Sequence, residues 1–99
     1  MKLDINEIYT FKLLTGEELV AKVLEINDTT ITLKQPISTV LSPQGLQMVP
    51  SLFSSNPDRE VLLNISSWAM VSEPREDVRN SYIQATTGIA PVTKQIITG

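Results

Sequence analysis

Blocks of apolar residues, separated by short turn-forming segments, follow one another along most of the chain. The most regular of them covers residues 11–33, FKLLTGEELVAKVLEINDTTITL, and predicts three consecutive strands joined by tight turns around Gly16 and at Asn27-Asp28. Gly16 and Asn27 are residue types that tolerate the positive φ often required in short hairpin turns. This segment therefore predicts an antiparallel arrangement of its strands.

The middle strand of this segment is apolar on both faces. Within residues 19–26 only Lys22 and Glu25 are polar. A strand of this kind belongs in the middle of a sheet that is covered or curled on both sides. In so short a chain, a curled antiparallel sheet predicts a small barrel.

Further β-type blocks follow this segment. The third strand of the segment covers residues 29–34, and the later blocks are residues 37–41, 46–49, 61–65 and 68–71. Pro36 predicts a bend between two of them, and Pro50, which lacks an N–H group, favours an edge strand or a bulge. The blocks together predict a mainly β fold, a small and strongly bent five-stranded antiparallel barrel.

The period of the pattern changes after Ser72. A proline and several acidic residues near the start indicate a helix N-terminus, and Val78, Tyr82 and Ala85 form one apolar stripe. Gly88 is the expected C-cap of this helix. The predicted organisation is a barrel over residues 1–73, a C-terminal helix packed on it over residues 74–88, and a tail, mobile or packed on a neighbour, over residues 89–99.

Composition narrows the possible chemistry. The chain of 99 residues has a formal net charge of −3 and contains no cysteine and no histidine. Thiol nucleophiles, thiolate zinc sites and imidazole acid–base catalysis are therefore excluded, and we expect neither an enzyme nor a cofactor or metal. The acidic balance argues against indiscriminate nucleic-acid binding, although a local site stays possible. No signal-like or membrane-spanning apolar run is present, so we expect a cytoplasmic protein without a membrane partner.

Several of these features resemble the first signature of the Sm/LSm family. In that family a Leu-x-x-Gly turn opens a strongly bent second strand, and residues 14–16, Leu-Thr-Gly, match part of that turn. Ala21 stands where the family places a small residue at the bend. Asn27-Asp28 resembles the acidic turn that follows, and residues 31–33 resemble the third strand. The resemblance implies an Sm-like or SH3-like small barrel.

A narrower resemblance is to the Sm-like proteins encoded by marine cyanophages. It covers most of residues 10–88 and is carried by residues 12–18 (KLLTGEE), 43–48 (PQGLQM) and 73–75 (EPR) with Tyr82. This resemblance implies a role in nucleic-acid processing or regulation in the cytoplasm of a phage-infected bacterium.

The chain also departs from the general Sm/LSm pattern in two places. The family has a basic turn, often Arg-Gly, between its last two strands, whereas residues 65–68 here read Ile-Ser-Ser-Trp. The family helix precedes the barrel, whereas the helix predicted here follows it. The missing arginine lowers the expected affinity for RNA.

The resemblance implies a homo-oligomeric ring. Sm-type folds pair their two open edge strands with those of neighbouring copies, here residues 61–65 and 68–71, and about five to seven subunits close the ring. An independent physical argument agrees, because an unpaired strand edge has to be covered.

The resemblance also implies where single-stranded RNA or DNA would bind. In Sm-type rings, nucleotides contact two turns near the pore. The corresponding residues are Asn27, Asp28, Thr30, Ser66 and Ser67. Amide and hydroxyl groups of this kind can hydrogen-bond base edges, phosphate or sugar. The alternative interpretation is that these residues only form the hairpin turns.

Trp68 and Lys22 complete the candidate site. Trp68 is the only tryptophan and either stacks on a base or anchors the core or a subunit interface. Lys22 is a lone charge in an apolar strand and either contacts nucleic acid, extends outward at a bend, or pairs with a carboxylate.

Three functions compete at this point. The first is an Sm-like ring that binds single-stranded nucleic acid. The second is a structural or adaptor ring that binds protein and has no nucleic-acid site, which the negative charge and the missing arginine favour. The third is a monomeric SH3-like domain whose long apolar hairpin forms a peptide groove.

Overall fold

The structure, a computed structural model, describes residues 2–87. Within them it contains the strands β1 (Ile8–Leu13), β2 (Glu18–Ile26), β3 (Thr30–Ser42), β4 (Gly45–Pro50), β5 (Glu60–Asn64) and β6 (Trp68–Ser72). A 3-10 helix, Ile65–Ser67, joins β5 to β6, and the α-helix α1 (Glu76–Thr87) follows. The prediction of a mainly β fold with a C-terminal helix is confirmed. The expected Gly88 cap and the tail lie outside the described residues.

The six strands form one antiparallel sheet. Its order is β4-β3-β2-β1-β6, and β5 also pairs with β3. Leu63 of β5 and Val71 of β6, from opposite ends of the sheet, pack against the same core cluster as Phe11, so the sheet is curled. No ladder joins β5 to β6 within residues 2–87, so the sheet is not closed. The predicted bent barrel is therefore confirmed as a curled sheet but not as a closed one.

The sheet has six strands rather than the predicted five, and β3 has two partners on the same side. Residues Thr30 to Lys34 pair with β5, whereas Ile37 to Ser42 pair with β4. The change of partner falls at Gln35, which has a φ of 45°, and at Pro36, where the bend was predicted. Pro36 therefore bends β3 without ending it.

Element bounds also differ slightly from the prediction. β5 ends at Asn64, since Ile65 begins the 3-10 helix, and α1 begins at Glu76 rather than at residue 74. Gly16 has the expected positive φ of 97°. Asn27 does not adopt a positive φ; its N–H donates to the Thr30 carbonyl at 2.8 Å, which closes the turn in another way.

β2 is buried on both faces, as its pattern indicated. Leu19, Ala21 and Val23 contribute to the cluster enclosed by the curled sheet. Val20 points to the opposite face, where it packs in a second cluster with Val78 and Tyr82 of α1. The helix therefore covers the outer face of the curled sheet.

The Tyr82 hydroxyl attaches α1 to an irregularity between β2 and β3. The register passes from Val20 opposite Ile37 to Lys22 opposite Lys34, so the ladder is interrupted between these pairs. At the interruption, the Lys22 N–H donates to the Tyr82 hydroxyl at 3.1 Å, and that hydroxyl donates to the Lys34 carbonyl. Burial raises the pKa of Tyr82 to about 12.

Candidate functional site

The fold brings together the two turns that the sequence singled out. Thr30 of β3 lies opposite Asn64 of β5, so the β2–β3 turn and the 3-10 helix are neighbours. The Ile65 N–H donates to the Thr29 carbonyl at 2.9 Å. Five of the seven predicted site residues share this end of the molecule. They are Asn27, Asp28, Thr30, Ser66 and Ser67.

The side chains at this end differ in how accessible they are. Asn27, Asp28 and Ser66 are exposed, whereas Thr30 and Ser67 are half-buried. The Ser67 hydroxyl donates to the Asn64 carbonyl at 2.6 Å, so it stabilises the 3-10 turn. The exposed amide, carboxylate and hydroxyl groups are therefore the ones available to a ligand.

The two clustered turns together carry a negative charge. Residues 27–30 and 64–67 contain one acid, Asp28, and no lysine or arginine. Neutralisation of phosphates by basic side chains normally supplies much of the affinity for nucleic acid. A ligand at this end would therefore be held mainly by hydrogen bonds.

The side chain of Trp68 packs against the core cluster that contains Phe11. Its ring lies edge-on to Phe11, with ring centroids 5.5 Å apart and an interplanar angle of 67°. Nε1 of Trp68 is buried, and no acceptor among residues 2–87 reaches it. This geometry favours the core interpretation of Trp68 over base stacking.

Lys22 lies apart from the turns. It is opposite Ile8 and Lys34, and residues directly opposite each other point to the same face of a sheet. Ile8 packs in the cluster under α1 with Tyr82. Lys22 therefore belongs to the helix-covered face, and the structure does not bring it to the other site residues.

Three strands, β4, β5 and β6, have an unpaired edge within residues 2–87. Of these, β5 and β6 each present a large apolar side chain to solvent at their centre. Leu62, at the centre of β5, is 66% exposed, and Met70, at the centre of β6, is 67% exposed. Their strand neighbours Leu63 and Val71 pack inward. The sequence analysis found the two edges but missed these two residues. The alternation of outward and inward positions in β5 was the signal that could have identified Leu62 as exposed. The pattern around Met70 in β6 is irregular and gave no such signal.

An apolar groove of about 330 Å³ lies beyond the N-terminal end of β5. The bend of β3, the strand β4, the loop between β4 and β5 and the last turn of α1 line it. Phe53 is 82% exposed at this groove, whereas Met48 is buried. Arg59 is the charged residue of the lining.

Two ion pairs lie on the surface of the described residues. Lys12 Nζ is 3.4 Å from a carboxylate oxygen of Glu18, and Arg75 Nη2 is 2.5 Å from a carboxylate oxygen of Asp77. Hydrogen bonding to Arg75 lowers the pKa of Asp77, and the same pairing raises the pKa of Arg75. Arg59 is in neither pair.

The chain matches no protein-family model and no curated protein. Among residues 2–87, no three acidic residues converge in a way that would hold a metal ion. The helix of the described part is too short and too polar to cross a membrane.

Proposed function

We propose that this protein assembles into a homo-oligomeric ring by pairing β5 of each copy with β6 of the next, and that the ring binds single-stranded RNA or DNA at its clustered turns. The observation that carries the proposal is the match between the open edges of β5 and β6. The resemblance to Sm-like proteins supports the same assembly and suggests about five to seven subunits.

The two edges fit each other in a centred antiparallel register. β5 and β6 each have 5 residues, and this register places Leu62 opposite Met70 of the next copy. Both side chains point outward, and residues directly opposite each other must share a face. The inward-packing Val71 then lies opposite Val61, which is half-buried.

Pairing would satisfy two requirements together. It would cover the unpaired main-chain groups of both edges. It would also remove Leu62 and Met70 from water, and full burial of a side chain of this size contributes about 1.5–3 kcal/mol. A head-to-tail contact of this kind generates a ring when its rotation closes.

Ring closure would repeat the clustered turns around one axis. Each copy contributes the exposed groups of Asn27, Asp28 and Ser66. Groups of this type bind unstacked bases through hydrogen bonds. Since the turns carry no basic residue, we expect modest affinity and a shallow dependence on salt concentration.

A structural or adaptor ring that binds protein is the second candidate. The formal net charge of −3 and the absence of lysine and arginine from the turns favour it. It shares the ring with the first candidate and differs from it only in the ligand. Oligonucleotide titration separates the two.

The assembly is tested by cross-linking, because the chain has no cysteine of its own. We expect the double variant Leu62→Cys with Met70→Cys to form disulfides between copies under oxidation. Non-reducing gels should show a ladder that ends at the ring size. The single-cysteine variants are the matched controls and should not form a ladder. Exclusively monomeric species from the double variant would contradict the proposed pairing.

The nucleic-acid site is tested with short poly-U and poly-A at low salt. We expect Asn27→Ala and Ser66→Ala each to weaken binding by about 3- to 10-fold, because each removes one hydrogen-bonding group per copy. Asn80→Ala, which removes an exposed amide on α1, is the control and should bind like the wild type. A ring that binds neither oligonucleotide would exclude this site and leave the adaptor function.

A further inference from the structure

The apolar groove lies beyond the N-terminal end of β5. Val61 of β5 and, in the loop before it, Arg59 and Pro57 are among its lining residues. The Arg59 N–H donates to the Asn56 carbonyl at 3.0 Å, which closes a turn directly before β5. A strand that pairs with the open edge of β5 and continues past Glu60 would run beside this turn, whose residues Pro57 and Arg59 line the groove.

The centred register specifies which residues arrive there. In an antiparallel pair, each step back along β5 corresponds to one step forward along β6. With Leu62 opposite Met70 of the adjacent copy, Glu60 lies opposite Ser72, and the next position places Arg59 opposite Glu73. In this register the β6–α1 connection of the adjacent copy would pass Arg59, at the groove.

We propose that the groove is the docking surface for the β6–α1 connection of the adjacent copy, held by an ion pair between Arg59 and Glu73 of that copy. This inference rests on the proposed ring. Its partner is a second copy of this chain, and the contact extends the interface beyond the strand edges.

The charges of the described residues support this pairing. Arg59 and Glu73 are both exposed, and neither takes part in an ion pair within residues 2–87. The other charge of the connection, Arg75, already pairs with Asp77 of its own chain. Glu73 lines a polar pocket of its own chain with Arg79 but forms no ion pair within residues 2–87, and Arg59 is the charged residue of the groove lining.

Charge reversal tests the ion pair. We expect Arg59→Glu and Glu73→Arg each to weaken self-association by about three- to fivefold per interface, measured by sedimentation over a dilution series. The double variant, which restores opposite charges with their positions exchanged, should regain most of the loss. Glu25→Arg reverses an exposed acid on β2 and is the matched control. Equal association of all four variants and the wild type would overturn the ion pair.

Hydrogen exchange tests the occupation of the groove. We expect the main-chain amides of residues 51–59 to exchange more slowly in the assembled wild type than in a monomeric Leu62→Lys variant. Equal and fast exchange in both would show an uncovered groove and overturn the proposal. Equal and slow exchange in both would overturn it in favour of an occupant from the same chain, such as residues 88–99.

The failure of this inference is distinguishable from failure of the ring itself. If the cysteines at positions 62 and 70 do not cross-link, both proposals fall together. If they do cross-link, while charge reversal and hydrogen exchange show no effect, the ring stands and the groove contact is excluded.

Discussion

Replacement of Leu62 by lysine is expected to convert the assembled protein into monomers. In the proposed interface Leu62 lies opposite Met70 of the next copy, and both side chains are largely exposed in the single chain. The substitution forfeits about 1.5–3 kcal/mol of apolar burial at every interface. It also places a charge where it must either lose water or keep the strands apart. Sedimentation velocity or light scattering measures the change in mass.

A second substitution tests whether Met70 of the next copy is the partner of Leu62. Met70→Glu alone should also dissociate the ring, whereas the double variant Leu62→Lys with Met70→Glu should recover part of the assembly through opposite charges across the strand pair. Leu41→Lys is the control, since Leu41 is 82% exposed but lies on the hairpin of β3 and β4. If Leu62→Lys retains the mass of the wild type, β5 is not the assembling edge.

Replacement of Tyr82 by phenylalanine is expected to destabilise the fold by about 1–3 kcal/mol. The ring of Tyr82 is 1% exposed and keeps its packing in the variant. The hydroxyl is lost, so the Lys22 N–H and the Lys34 carbonyl lose their partner at the interruption of the ladder. Urea denaturation in the monomeric Leu62→Lys background measures the free energy of unfolding without a contribution from assembly.

The matched control is Tyr9→Phe. The Tyr9 hydroxyl is also in a buried residue but accepts one hydrogen bond, from the Asp4 N–H at 2.8 Å, near the start of the chain. We expect a smaller loss of stability from this change. Equal stability of Tyr82→Phe and the parent protein would mean that the hydroxyl does not hold α1 to the sheet.

Because of Tyr82, the free energy of unfolding is also expected to depend on pH in the alkaline range. Its pKa is raised to about 12 in the folded protein, from an ordinary value of 10.0. Between these values the folded state keeps a proton that the unfolded state has lost, so the free energy of unfolding decreases as pH rises through this window. The full decrease is about 2–3 kcal/mol. Tyr82→Phe should lack this decrease, whereas Tyr9→Phe should retain it.

The curled sheet was predictable because each strand carries its own pattern. β2 is apolar on both faces, and burial on both faces follows from that wherever the strand lies in the sheet. The apolar stripe of α1 likewise placed Val78 and Tyr82 against the sheet. Patterns of this kind depend on residues a few positions apart, which the sequence displays directly.

The candidate site was predictable only in part. The turn at Asn27-Asp28 was recognised from its residue types, and the turn at Ser66-Ser67 was assigned by the resemblance to Sm-type proteins. Their proximity is shown by the pairing of Thr30 with Asn64. Lys22 was included in the site because it is a lone charge in an apolar strand, and the register assigns it to the helix-covered face. Trp68 was left open between stacking and packing, and its contact with Phe11 favours packing.

The sequence by itself determined the β class, the two-sided burial of β2, the position of the helix and the absence of thiol and imidazole chemistry. Only the tertiary structure decided that β3 changes partners at Pro36, that the Tyr82 hydroxyl bridges Lys22 and Lys34, and that Leu62 and Met70 are exposed. The physical reason is that periodicity encodes which face of a strand is apolar. Which strand pairs beside it depends on contacts between residues distant in the chain, and no local pattern records them.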